Sequence, residues 1–138
     1  MVLQTKIENF LVIENSKIFL EVDLNGGSIH DFHLKALPLN PLNWQSDDPD
    51  MPPFKGHFLC FDRWGPPSEG EQKNGFRHHG EVNTERWFSE TKPAQGEGWS
   101  ACTMKCRLPM ARLDVSRKIE LSGDDPLILV TEEIRNRN

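Results

Sequence analysis

Arg63, Trp64, His78, His79, Trp87 and Trp99 are the residues of this sequence whose types and spacing are best suited to ligand chemistry. Sugars are held by charged or amide groups that fork onto hydroxyls and by aromatic faces that meet C–H patches. Arg63 follows directly on residues 57–62, which are apolar on both faces, and His78-His79-Gly80 closes the irregular stretch after it. Both are therefore expected to flank one sheet surface. The competing reading makes Arg63 a structural ion pair with Asp62 or Glu69 and makes the tryptophans ordinary core.

Other reactive side chains point to packing. Cys102 and Cys106 are four apart on a strand-like segment, about 13 Å at strand rise, whereas a disulfide needs Cα atoms roughly 4.4–6.8 Å apart. They and Cys60 are expected to be core thiols. His30 and His33 are three apart, so a regular strand sends them to opposite faces. Neighbouring His78 and His79 cannot easily share an ion, and no metal centre is expected. Arg117 lies between Val115 and Ile119 on an otherwise apolar face. Burying it unpaired would cost several kcal/mol, so it must meet a carboxylate or emerge at a cleft.

Strands must position these residues. Ile18, Leu20, Val22 and Leu24 alternate with Phe19, Glu21 and Asp23, the period of a strand with one buried face. Asn25-Gly26-Gly27 turns the chain into a second strand over 28–35, with His30, Phe32 and Leu34 on one face and Ile29, Asp31 and His33 on the other. Residues 36–56, rich in proline, asparagine and aspartate, read as a long loop. Residues 57–62 read as an interior strand, and 63–83 as an irregular stretch of a length that is usually functional. Further strands are expected over 84–90, 98–108, 110–121 and 127–135, the last two joined through Ser122-Gly123-Asp124-Asp125-Pro126. No window carries a helical stripe. The pattern predicts an all-β antiparallel sandwich, with residues 1–138 as one domain.

With 138 residues and 36% hydrophobic content, the chain is long enough for one core without disulfide staples. A net charge of -5, with no basic stripe, argues against nucleic acid. No apolar run reaches the ~18 residues of a membrane span, and residues 1–16 lack the apolar stretch of a secretion signal. With three cysteines, this favours a reducing, cytoplasmic setting. No cofactor motif is present. Residues 130–138 still read as a strand where the sequence stops, as expected of part of a larger fold.

A set of short motifs in order, Gly26-Gly27-Ser28-Ile29, then Phe61-Asp62-Arg63-Trp64-Gly65, His79-Gly80, Trp87, Ser116 to Leu121 and Val130 to Asn136, resembles the N-terminal half of galactose mutarotase-like proteins. These are the aldose 1-epimerases and their hexose-phosphate epimerase relatives. The resemblance implies the first part of a β-supersandwich, with a monosaccharide or sugar derivative bound by Arg63 and His79, and His78 a less suitable substitute. Trp64 and Trp87, from the aromatic set above, complete the expected sugar-binding residues.

In that family the general base, a glutamate, and the general-acid histidine lie in the second half, where nothing in this chain corresponds. Catalytic residues are therefore left unassigned, and whether the chain is an enzyme stays open, because anomer exchange needs both a base for the O1 proton and an acid for the ring oxygen. The hexose-phosphate relatives place phenylalanine and a basic residue after His-Gly. Here Glu81 and Val82 stand instead, which counts against a phosphorylated substrate. Two other classes compete: a non-catalytic carbohydrate-binding module stacking sugars on Trp64, Trp87 or Trp99, and a structural half-sandwich whose open edges pair with another copy or a missing C-terminal half.

Overall fold

Alternating apolar residues build two four-stranded antiparallel sheets that enclose one apolar cluster. The computed structural model describes residues 3–7, 9–49, 54–96 and 98–138; residues 50–53 of the long loop lie outside this set. The first sheet is a meander of β1 (Leu3–Ile7), β2 (Phe10–Glu14), β3 (Ile18–Asp23) and β4 (Ile29–Leu34). A five-residue helix, α1 (Glu69–Lys73), follows. The second sheet is the meander β5 (Phe88–Gly96), β6 (Trp99–Leu108), β7 (Leu113–Ser122) and β8 (Ile128–Asn136). The all-β sandwich expected from periodicity is the observed architecture.

Leu11 and Ile13 of β2 and Ile18, Leu20 and Val22 of β3 face Cys102, Met104, Cys106 and Leu108 of β6 and Val115, Ile119 and Leu121 of β7 across the core. Burying such side chains fully contributes roughly 1.5–3 kcal/mol each. Cys102 and Cys106 are buried, as packing requires, and burial, then Glu85, pushes the Cys106 thiol up to about 12. Asn15 ties the sheets together. Its amide donates to the Ser122 carbonyl at 2.7 Å and the Asp125 carbonyl at 3.2 Å, while its Oδ1 accepts from the Lys17 and Ile18 amides at 2.8 Å each.

Several local expectations are corrected. Residues 3–7 and 10–14 add two strands that sequence reading left unassigned. On β4, Glu21 pairs with Asp31 but Val22 pairs with Ile29, which leaves His30 as the extra residue of a β-bulge. Ile29 therefore shares a face with Phe32 instead of opposing it. Residues 57–62 form no strand: His57 makes an isolated bridge to Ile29 and the chain then leaves the sheet. β5 begins at Phe88 because 81–85 turn back on themselves, the Thr84 and Glu85 amides donating to the Glu81 carbonyl.

β8 stands out at the margin. Its inner positions Val130, Glu132 and Ile134 lie opposite Ile119, Arg117 and Val115 of β7, yet Val130 and Ile134 remain exposed, as does Leu129 on the outer side. Among the described residues β8 pairs only with β7.

Candidate functional site

The loop carrying most candidate residues is pinned by two carboxylates. Asp62 accepts the Glu81 amide at 3.0 and 3.2 Å. The buried Glu81 carboxylate in turn accepts the Met110 and Ala111 amides, the latter at 2.8 Å. Between them Gly80 adopts a left-handed φ of 80°, with no room for a side chain beside Asp62.

His79 is also left-handed, at φ 57°. Its amide donates to the Gly65 carbonyl at 3.0 Å, and its Nδ1 accepts the Gly65 amide at 3.1 Å, which places the ring proton on Nε2. The ring lies in a cluster of aromatic edges and faces: Trp64 at 5.2 Å, Phe54 at 5.1 Å, Phe58 at 5.5 Å and His78 at 4.5 Å between centroids. Trp64 is 81% exposed, so one indole face is free for a ligand. Beside it runs an open cleft of about 410 Å³ lined by His57, Phe58, Cys60, Phe61, Trp64 and Glu132.

Burial, and then the neighbouring His78, hold the His79 imidazole below the ordinary histidine range. The unfolded chain therefore binds this proton more readily than the folded one. The neutral ring contributes stability that is fully present above the ordinary value of about 6.5 and is lost as pH falls through the depressed folded value. An NMR titration is expected to show His79 with its midpoint below 6.5 and Nδ1 unprotonated. A midpoint at or above the ordinary value would contradict the burial of the ring beside His78, and a protonated Nδ1 would contradict the Gly65 contact.

The remaining candidates are placed differently. Arg63 is drawn into the 66–71 turn: Nε and Nη2 donate to the Pro66 carbonyl at 3.1 and 2.7 Å, and Nη1 pairs with Glu71. Its partner is thus neither Asp62 nor Glu69. Glu71 closes a capping box with Ser68 at the start of α1, and the Ser68 bonds first, then Arg63, hold its carboxyl below the usual range. Trp87 is fully buried, its indole N–H on the Val82 carbonyl at 3.3 Å, and presents no face to a ligand. Trp99 opens β6 on the second sheet. Cys60 is half-buried at the cleft wall instead of in the core, its thiol raised by burial and by Asp62.

Arg117 meets a carboxylate, one of the two outcomes its position allowed. It is 0% exposed; Nε and Nη2 donate to Glu132 Oε1 at 2.9 and 2.6 Å, Nη1 donates to the Gly27 carbonyl at 2.6 Å, and the guanidinium lies 5.5 Å from the Trp87 ring.

Two further depressions flank these elements. One of about 440 Å³ is lined in part by Phe54 and Phe58, and there Asp23 and Lys55 pair at 2.7 Å. A larger one, about 560 Å³, lies on the second sheet among Phe88, Lys105, Arg107 and Asp114 and contains none of the candidates. Its Lys105 and Arg107 are already paired with Glu90 and Asp114. Among the described residues no three His, Cys, Asp or Glu side chains converge as metal ligands, and no helix is long and apolar enough to cross a membrane. Phe54, Phe58 and Glu132 escaped sequence reading: the first two sat in segments read as loop and strand, and Glu132 in an outer strand. No family model, curated protein or solved structure matches this chain.

Proposed function

We propose that this chain recognises a monosaccharide or sugar derivative in the cleft beside Trp64, as the sugar-binding part of a mutarotase-like β-sandwich. The observation that carries this reading is the exposed Trp64 ring, held edge-on by His79 at the rim of a cleft of sugar-accommodating size. His79 keeps its Nε2–H to offer once Nδ1 is taken by Gly65. Arg63 keeps an N–H on each Nη outside its bonds to Pro66 and Glu71. Trp87 serves the site from within the core, under Arg117, and not as a sugar platform. No residue is assigned as general base or acid, so binding without anomer exchange is the expected behaviour. The count of three cysteines in the sequence fits a reducing, cytoplasmic setting.

Proton NMR of freshly dissolved α-glucose and α-galactose with stoichiometric protein tests this. Sugar lines are expected to broaden while the anomers equilibrate at the buffer rate, and Trp64→Ala removes the broadening. Unchanged lines for both sugars would refute the reading. Binding that survives loss of both Arg63 and His79 would favour a tryptophan-platform module instead.

A second reading is favoured by β8, whose free edge and exposed Leu129, Val130 and Ile134 form a template for another strand, from a second copy or from a C-terminal half. It predicts a species heavier than 15.9 kDa by light scattering; a strict monomer excludes the second-copy form.

A further inference from the structure

The cleft beside Trp64 contains one charged side chain whose position is fixed from below. Glu132 stands on the inner face of β8, opposite Arg117, with its side chain 27% exposed. Both guanidinium bonds fall on the same oxygen, Oε1. Oε2 has no hydrogen-bond partner among the described residues, so it is the carboxylate atom left to accept. Arg117 is itself immobilised by the Gly27 carbonyl and the Trp87 ring, and it therefore holds Glu132 in one orientation before any ligand arrives. An acceptor fixed in advance loses little rotamer freedom on binding.

The electrostatics of the cleft also select. Its lining includes no lysine or arginine side chain. Lys55, next in sequence to the lining residue Gly56, is paired with Asp23. A ligand phosphate would meet the Glu132 carboxylate, while Arg63, the cation the proposed site offers from outside the lining, is already neutralised by Glu71; like-charge contact inside a cleft is unfavourable. A sugar hydroxyl would meet a charged acceptor, the stronger class of hydrogen bond.

Building on the sugar-binding reading, we infer that Glu132 accepts a hydroxyl of the bound sugar through Oε2, and that the cleft takes neutral sugars in preference to sugar phosphates. Glu132→Gln keeps an oxygen for Arg117 and puts an amide donor where Oε2 stood.

The test is titration of the full chain with α-galactose and with glucose 6-phosphate, each followed by line broadening. Wild type is expected to bind the neutral sugar more tightly. Glu132→Gln weakens it by about tenfold or more and narrows the gap between the two probes. If Trp64→Ala abolishes galactose binding but Glu132→Gln leaves it unchanged, the role of Glu132 is overturned and the sugar-binding reading stands. If wild type binds neither probe, both fall. Should Glu132→Gln fail to fold, the wild-type comparison still decides, since equal or tighter binding of glucose 6-phosphate overturns the inference.

Discussion

Replacing Arg117 with alanine is expected to lower the stability of the protein by about 3–5 kcal/mol, the range for removing one partner of a buried ion pair. Three features drive this. The guanidinium is wholly buried, so its departure opens a cavity under Trp87. The Gly27 carbonyl loses its side-chain donor, and Glu132 loses both bonds to Oε1. Burial pulls the guanidinium below its ordinary basicity while Glu132 pulls it back up, so the charge is tolerated only because its partner is in place.

Converting both Arg117 and Glu132 to methionine is expected to recover part of the loss, because an apolar pair of similar volume often substitutes for a buried salt bridge. What stays lost is the orphaned Gly27 carbonyl, about 1–3 kcal/mol. Urea denaturation followed by circular dichroism measures both variants. A loss under about 1 kcal/mol for Arg117→Ala, the scale of an exposed pair, would mean that Arg117 is solvated and not buried.

The second large effect is expected at Gly80. Alanine there would put Cβ 2.1 Å from Asp62 Oδ1 and 2.5 Å from Oδ2, at a φ of 80°. Left-handed backbone costs a non-glycine residue roughly 1–2 kcal/mol. Asp62 must also move off the Glu81 amide, forfeiting hydrogen bonds to a charged group that are worth about 1.5–3 kcal/mol. The consequence reaches the site, because His79 is the adjacent residue and its ring is set by Gly65 across the loop.

Gly98→Ala, away from the His79 loop, is the matched control. Its φ is 78°, but nothing lies within 4 Å of the added carbon. It should show the backbone cost alone by denaturation. Gly80→Ala should show more, together with shifted His79 resonances and, on the proposed function, weakened sugar binding. Equal destabilisation by the two variants would rule out the Asp62 clash.

Much of the second sheet was readable because its hairpin fixes its own register. The Ser122 amide donates to the Leu127 carbonyl, and counting five residues outward along each strand brings Arg117 opposite Glu132. The partner of the one charge on an apolar face was thus available from the turn. The capping box of α1 was equally visible as Ser68-Glu69-Gly70-Glu71, a short signal hidden inside an irregular stretch.

The bulge at His30 was not readable, since strict alternation cannot announce the residue at which it skips. Residues 57–61 failed for a different reason. Phe58 and Phe61 are apolar because they line the cleft wall, not because two sheets cover them, and periodicity cannot separate these causes. Trp64, His78 and His79 were legible as a cluster by sequence proximity. The outward face of Trp64 and the burial of Trp87 depend on tertiary contacts made by Gly65 and Gly27.

Asn15 has a kinetic consequence. Within each sheet every strand pairs with its neighbour in sequence, so both meanders can zip from local turns at little loop-closure cost. The Asn15 bond to the Ser122 carbonyl spans 107 positions and forms only when the sheets dock. Docking brings these distant positions together, and Asn15 belongs to the latch that holds the docked state. Substituting it should leave the refolding rate nearly unchanged and accelerate unfolding, so that the lifetime of the folded molecule, more than its speed of formation, depends on this turn together with the Arg117 bond to Gly27.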